Sequence, residues 1–169
     1  MSPRAEPGTR LRGLLDMRLS EILGESSVIP DLKARDKKAV LEELAQTIVD
    51  QEPDLDKSAL VRVLLDRERL GSTGIGDGVA IPHGKFDGLS QPMVSFGRSR
   101  KGLDFESMDG QPAFLFFLLV APENSTSIHL KALARIAKIL KSSSFRKALM
   151  EIPTKKELYQ TIVQNDEEF

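Results

Sequence analysis

Apolar residues recur at helical spacing between Asp36 and Pro53. The carboxylate of Asp36 can accept hydrogen bonds from the first backbone N–H groups of a helix, and Pro53 cannot continue one. The pattern therefore predicts a helix between these two residues, and similar features predict a second helix from Asp56 to about Arg67. The apolar face of the first helix consists of Val40, Leu41, Leu44, Ala45, Ile48 and Val49.

The helical pattern returns near the end of the chain. A helix is predicted from His129 to about Leu140, and a shorter one follows near Phe145–Glu151. Thr154 and Glu157 stand at the spacing of a capping box, which predicts the start of a final helix. The expected core-facing residues of the His129 helix are Leu130, Leu133, Ala134, Ala137 and Leu140.

Between these helical regions the apolar residues come in shorter runs. Strands are predicted over Val79–Pro82, Met93–Arg98 and Ala113–Val120, and a short extended segment over Val28–Leu32. Ala113–Val120 is apolar at both alternating sets of positions, which is typical of a central strand covered on both faces. Gly71–Gly78 holds four glycines in eight residues and is predicted to be a loop.

The order of helices, strands and helices predicts an α/β fold in which a mixed sheet is sandwiched between helices. At 169 residues, the chain has the length of a single domain. Residues 1–16 contain prolines, glycines and arginines, so we expect a flexible N-terminal extension there. The domain itself is expected over residues 17–165.

Composition and charge argue against several classes of protein. With 24 basic and 25 acidic residues the net charge is −1, which does not suit a basic nucleic-acid-binding domain. The chain has no cysteine, which excludes disulfides, thiol nucleophiles and zinc–thiolate sites. The sequence shows neither an apolar run long enough to span a bilayer nor a secretory signal, so we expect no membrane insertion and a cytoplasmic location.

The sequence contains only two histidines, and one of them, His83, follows a glycine-rich stretch and a short apolar run. Pro82 stiffens the backbone before it, and Gly84 behind it permits an unusual turn. An imidazole presented in this way suits nucleophilic chemistry near neutral pH, and we predict that His83 carries a phosphoryl group. A structural histidine that caps a strand is the alternative.

Four further residues are candidates for an anion site around His83. His129 lies in the first turn of a predicted helix, where the positive end of the dipole favours an anion and disfavours imidazolium. Arg67 ends a helix just before the glycine loop and offers a permanent charge with a planar set of donors. Ser72 and Thr73 open the loop with hydroxyl groups that could cradle an anion or simply cap the turn.

The sequence departs from other phosphate-binding and metal-binding motifs. The glycines of the loop do not form the dinucleotide pattern, because Val79 stands where the third glycine is required. Lys85 is followed by Phe86 rather than by the Ser or Thr of a P-loop, and no zinc-binding helix motif is found. We therefore expect no cofactor and no metal, and a phosphoryl transfer that depends on positioning and positive charge.

The segment that holds most of these candidates is Arg67-Glu68-x-x-x-Ser72-Thr73-Gly-Ile-Gly-Asp-Gly-Val-Ala-Ile-Pro-His83-Gly-Lys85. It resembles the IIA domains of the fructose/mannitol branch of the bacterial phosphotransferase system, and most of all its nitrogen-regulatory members. The resemblance extends from about Met17 to Tyr159. It implies a mixed sheet of about five strands flanked by helices on both faces.

The resemblance also implies roles for the candidate residues. His83 would accept the phosphoryl group on Nε2, His129 would assist, and Arg67 would belong to the phosphate pocket. Ser72 and Thr73 lie in the matching loop as phosphate-binding candidates. The implied donor is an HPr-like phosphocarrier protein, and the implied partners are regulated target proteins.

A regulatory role is expected, because the chain contains no membrane segment and no cysteine. The resemblance implies that a IIB domain of this branch accepts phosphate on a cysteine, so we expect that no such domain is fused to this chain. One alternative is a sugar-transport IIA component that passes its phosphate to a separate IIB protein. Another is an acid–base, phosphatase-like enzyme that uses the two histidines, and a third is a binding module whose histidines are inert. A phosphohistidine would make the protein a phosphocarrier of the transferase type rather than a multiple-turnover enzyme.

Overall fold

The computed structural model describes residues 17–167, which form a mixed sheet with helices on both faces. The helices are α1 (Leu19–Ile22), α2 (Lys37–Gln51), α3 (Lys57–Arg69), α4 (Thr126–Ile139), α5 (Ser143–Glu151) and α6 (Lys155–Glu167). The strands are β1 (Val28–Ile29), β2 (Gly74–Gly76), β3 (Val79–Ala80), β4 (His83–Phe86), β5 (Met93–Leu103) and β6 (Ala113–Pro122). The extension predicted over residues 1–16 lies outside the described residues. Among residues 17–167, no helix has the length and apolar character needed to cross a membrane.

Strand β6 lies in the middle of the sheet, whose order is β1-β5-β6-β3-β2. It pairs antiparallel with β5 and parallel with β3, and β4 continues the parallel pairing after β3 has ended. Its side chains alternate between an apolar cluster that includes α4, α5 and α6 and a second cluster that includes α2 and α3. The predicted mixed sheet between two helical layers is confirmed, with six strands where about five were expected.

The two helices before the glycine-rich segment begin where the sequence predicts. Asp36 accepts a 2.8 Å hydrogen bond from the backbone N–H of Ala39, and Asp56 accepts one of 3.1 Å from Ala59. Each bond satisfies a backbone donor that has no partner inside the helix. Helix α3 then continues to Arg69, which sets its last turn beside the glycine-rich segment.

The segment predicted as a loop over Gly71–Gly78 contains a strand instead. Residues Gly74–Gly76 form β2 and pair antiparallel with β3. The connection is Asp77-Gly78, with φ angles of 56° and 78°. Two successive positive φ angles define the tight hairpin turn that an Asp-Gly pair favours, so this pair is the sequence signal that the loop prediction missed.

The prediction for helix α4 is wrong in its start and in part of its buried face, although Leu140 is buried as expected. It begins at Thr126 rather than His129, and Leu130, expected in the core, is 57% exposed. His129 takes a core-facing position, which turns the leucine beside it toward solvent. The residues of α4 that are buried are His129, Ala132, Ile136 and Ile139.

Candidate functional site

His83 is the first residue of strand β4, which follows β3 after two intervening residues. The strand predicted over Val79–Pro82 is divided, because β3 ends at Ala80 and β4 begins at His83. The backbone between them is held on two sides: Ile81 N–H donates to Thr73 O, and Pro82 O accepts from Leu119 N–H, each at 3.0 Å. His83 is therefore presented from a fixed backbone.

Gly84 serves close packing rather than the unusual turn expected from the sequence. It is not among the glycines with positive φ. A Cβ atom at this position would lie 3.1 Å from Val63 Cγ1 and 3.6 Å from Leu64 Cδ2. The glycine thus allows α3 to pack closely on β4, which brings the last turn of α3 toward His83.

The hydrogen bond on the ring of His83 determines which of its nitrogens is available. Nδ1 lies 2.7 Å from the carbonyl oxygen of Ile81. A carbonyl oxygen can only accept, so Nδ1 carries the proton and the neutral ring keeps a lone pair on Nε2. Burial lowers the pKa of His83 below its usual value of 6.5, and the charge of Arg67 lowers it further, while the bond to Ile81 and the charge of Glu68 act in the opposite direction. The ring is half-buried and neutral at pH 7.

His129 lies directly beside His83, with ring centres 5.4 Å apart and planes inclined at 56°. It is only 6% exposed, so it is a buried group rather than a surface one. Burial lowers the pKa of His129 to about 4, with smaller contributions from His83 and from the charge of Lys85. Its Nδ1 is buried and has no hydrogen-bond partner within residues 17–167. His129 therefore adds a second neutral imidazole to the site.

Arg67 lies in the last turn of α3, on the side of the site formed by the glycine-rich segment. Its Nη1 donates a 2.9 Å hydrogen bond to Gly71 O. A guanidinium carries five N–H donors, so this single bond leaves most of them for another ligand. Its positive charge lowers the pKa of His83, which shows that the two residues are within electrostatic reach.

The hydroxyl groups of Ser72 and Thr73 make hydrogen bonds inside the protein. Ser72 Oγ donates to Phe105 O at 2.9 Å and accepts from Gly74 N–H at 3.0 Å. Thr73 is buried, and its Oγ1 donates to the carboxylate of Glu68. These bonds hold the glycine-rich segment in place, and direct phosphate binding by the two hydroxyls stays a prediction.

Two residues of the site carry no role in the sequence-based prediction. Lys85 donates a 2.7 Å hydrogen bond to Thr126 Oγ1 and lowers the pKa of His129. It stands two positions after His83 in β4, and the alternation of side chains along a strand places both on one face. Glu68 is buried beside Thr73. Its position four residues after Leu64, on the apolar stripe of α3, is a signal that it faces the core.

The arrangement suits the transfer of an anionic group to a nitrogen nucleophile. A neutral imidazole with a free lone pair faces a second neutral imidazole, and two cations stand near the pair. Fixed positive charge and N–H donors stabilise the oxygens of a phosphoryl group during its transfer. Among the described residues 17–167, no group of three or more metal-binding side chains lies together.

The site thus combines a half-buried histidine with a second, buried histidine beside the central strand of a mixed sheet. The family model described as "Phosphoenolpyruvate-dependent sugar phosphotransferase system, EIIA 2" matches residues 21–165. The chain belongs to this family, which confirms the resemblance drawn from the sequence.

Curated relatives include both regulatory and sugar-transport proteins. A nitrogen regulatory protein of Bradyrhizobium diazoefficiens is 44% identical over 133 residues, which cover 79% of this chain and 86% of the relative. The fructose-specific EIIABC component of the phosphotransferase system of Bacillus subtilis is 37% identical over 151 residues. The match covers 89% of this chain but only 24% of that longer protein.

Solved structures agree with the fold. The nitrogen regulatory protein IIA-Ntr of Neisseria meningitidis superposes with a TM-score of 0.79 at 36% identity, covering 85% of this chain and 98% of that one. The mannitol IIA of Escherichia coli superposes with a TM-score of 0.69 at 21% identity, covering 82% of this chain and 97% of that one. The second match is evidence for the fold alone.

Proposed function

We propose that Nε2 of His83 accepts a phosphoryl group from the phosphohistidine of an HPr-like donor protein. The observation that carries this proposal is the hydrogen bond from Nδ1 to Ile81 O, with His129 next to the ring. That bond occupies one ring nitrogen and leaves the other as the nucleophile. The lowered pKa keeps this nitrogen unprotonated at neutral pH.

The step is a direct displacement at phosphorus. The lone pair of Nε2 forms the new N–P bond while the N–P bond of the donor breaks, and its electron pair returns to the imidazole of the donor. The proton on Nδ1 of His83 stays in place throughout, held by Ile81 O. Both rings must lie in line with the phosphorus, which requires a donor docked tightly over His83.

Three side chains would stabilise the transferred group. Arg67 offers a permanent charge and several N–H donors to the phosphoryl oxygens, and Lys85 adds a second charge near His129. His129, which stays neutral, would donate one N–H without bringing a competing positive charge to His83. Ser72 and Thr73 would contribute indirectly, because their hydrogen bonds hold the loop whose Gly71 O accepts from Arg67.

Exposed apolar side chains support docking of a protein partner near the site. Within residues 17–167, the large apolar residues that are exposed are Leu70, Ile75, Met108 and Leu130. Leu70 follows the last turn of α3, Ile75 lies in β2, and Leu130 is adjacent to His129. Each of these three residues lies in or next to an element or segment that carries a residue of the site, and burying them under a docked partner would keep water from the phosphohistidine.

We further propose that the phosphorylation state of His83 regulates binding to target proteins in the cytoplasm. Phosphorylation adds roughly −1.5 to −2 charges to a small patch of surface. This favours or opposes a partner according to the charge that the partner presents. The relatives named nitrogen regulatory proteins favour this role, and the fructose-specific relative favours phosphate transfer to a IIB protein as the second candidate.

A reconstituted relay tests the proposal directly. The protein is incubated with phosphoenolpyruvate, the first enzyme of the phosphotransferase system and an HPr-type carrier, and its intact mass is measured. We expect a stable, acid-labile gain of one phosphoryl group per chain. Steady release of phosphate from a phosphoester would instead indicate a phosphatase, and no uptake would indicate an inert binding module.

Replacing His129 by alanine is expected to slow phosphorylation of His83 without abolishing it. The variant loses one donor to the phosphoryl oxygens but keeps the nucleophile, and removing one such donor costs on the order of a hundredfold in rate. His129→Gln keeps an N–H group and should recover part of that loss. Single-turnover rates of mass gain measure both variants, and rates equal to that of the unchanged protein would remove His129 from the mechanism.

A further inference from the structure

A continuous chain of hydrogen bonds runs from α2 to the ring of His83. Lys37 Nζ lies 3.2 Å from Oε1 of Glu68, and the carboxylate of Glu68 accepts from both the backbone N–H and the hydroxyl of Thr73. Thr73 O accepts from Ile81 N–H at 3.0 Å, and Ile81 O accepts from Nδ1 of His83 at 2.7 Å. Each hydrogen bond restrains the position of the next residue. The Glu68 carboxylate therefore helps to hold Ile81 O in the place where it accepts the proton of His83 Nδ1.

The carboxylate at the centre of this chain is an unusual group in its setting. Glu68 lies on the otherwise apolar buried face of α3, and its side chain is 3% exposed. A buried carboxylate is costly unless it is paired and hydrogen-bonded. Lys37 supplies the pairing, and it is itself held over the ring of Phe105, 4.7 Å from its centre. The other buried residues of α3 are Leu60, Val61 and Leu64, so a leucine at position 68 would pack equally well. Packing alone therefore does not explain a charged residue there.

We propose that Glu68 is a positioning residue for His83, which acts through Thr73 and the backbone of Ile81 to keep Nδ1 protonated and Nε2 aimed at the incoming phosphoryl group. The inference rests on the proposed function for the identity of that group. Glu68 does not touch the phosphoryl group in this scheme. Its effect reaches the nucleophile through the loop that it immobilises.

The proposed role of Glu68 also predicts a change in the pKa of His83. The groups around the His83 ring are Arg67 and Glu68 from α3, Lys85 from its own strand and His129 from α4. Among them, the negative charge of Glu68 raises the pKa of His83 and partly offsets the charge of Arg67. Removing that charge should therefore lower the pKa of His83 further.

The test uses Glu68→Gln, which has nearly the same shape but no charge. Long-range proton–nitrogen NMR spectra of the free protein report the tautomer and the pKa of His83 without any donor. We expect the unchanged protein to hold almost pure Nδ1–H tautomer, and Glu68→Gln to show a mixed population and a lower pKa. Single-turnover phosphorylation should slow by about tenfold to a hundredfold, as expected for a misplaced nucleophile.

Two further variants make the test decisive. Thr73→Val removes the hydroxyl that links Glu68 to the loop and should shift the tautomer in the same direction, whereas Thr73→Ser keeps a hydroxyl and should restore it. Glu106→Gln is the matched control, because Glu106 also approaches Lys37, at 3.7 Å, but its side chain is 79% exposed and has no bond to Thr73. This control should leave both readouts unchanged.

The proposal is overturned if folded Glu68→Gln and Thr73→Val keep the tautomer of the unchanged protein and its phosphorylation rate. Loss of thermal stability alone would mean that Glu68 serves only the fold. If Glu68→Gln does not fold, Thr73→Val decides the question. If the unchanged protein takes up no phosphoryl group, the proposed function fails, while the NMR measurement still decides whether Glu68 positions His83.

Discussion

His83→Gln is expected to abolish uptake of the phosphoryl group in the reconstituted relay. A glutamine can still donate a hydrogen bond to Ile81 O, so the backbone around position 83 should keep its arrangement. It has no ring nitrogen with a basic lone pair, and an amide nitrogen is not a nucleophile at neutral pH. Intact-mass measurement should therefore show only the unmodified chain, however long the incubation lasts.

The same experiment distinguishes His83 from His129, because these are the only two histidines of the chain. His129→Gln is the matched control, and we expect it to be labelled more slowly but to completion. Stoichiometric, acid-labile labelling of His83→Gln would contradict the proposal and would make His129 the acceptor. Circular dichroism of both variants shows whether any loss of labelling comes from the fold.

The helices and the central strand were predictable because their signals are local. Asp36 and Asp56 cap α2 and α3 through bonds to residues three positions ahead, so short stretches of sequence contain all the information. Strand β6 is apolar on both sides of the pleat, which only a strand covered on both faces can satisfy. His83, His129 and Arg67 were predicted as site residues from their chemistry together with the family resemblance, and the fold brings the two histidines side by side.

Other features depend on partners far away in the sequence. Arg98 is completely buried in β5, where its Nε donates to Pro30 O at 2.9 Å and its Nη1 donates to Leu149 O at 2.9 Å and to Ile152 O. Nothing near Arg98 in the sequence indicates that Pro30 and the end of α5 supply these carbonyl groups. The buried position of Glu68 depends in the same way on Lys37, which comes from another helix.

The meeting of the two histidines also follows from topology rather than from spacing. His83 pairs with Leu119 in the parallel register of β4 and β6, and β6 continues only to Pro122 before the chain turns into α4. His129 enters through the first turns of that helix. Strand β6 thus places both rings, which explains why residues so far apart in the sequence lie 5.4 Å apart.

Arg67→Gln is expected to slow phosphorylation by about a hundredfold or more, since it removes a permanent charge that stabilises the transferred group. It should also change the pH dependence. The charge of Arg67 lowers the pKa of His83, so its removal raises that pKa. The ring must be neutral to attack, and a raised pKa keeps it protonated up to a higher pH. The acid side of the rate–pH profile should therefore move to higher pH, opposite to the shift expected for Glu68→Gln.

Rates measured from about pH 5 to pH 8, with NMR titration of His83 in the same variants, check both effects. Arg69→Gln is the matched control, because Arg69 lies two residues later, is largely exposed and pairs with Asp66 at 2.7 Å. It should leave the rate and the pKa of His83 unchanged. Equal losses in the two variants would mean that general positive charge attracts the donor and that Arg67 has no specific place in the site. If Arg67→Gln slows phosphorylation but leaves the pKa of His83 unchanged, the guanidinium acts only on the phosphoryl oxygens. Its charge then has no effect on the imidazole of the free protein.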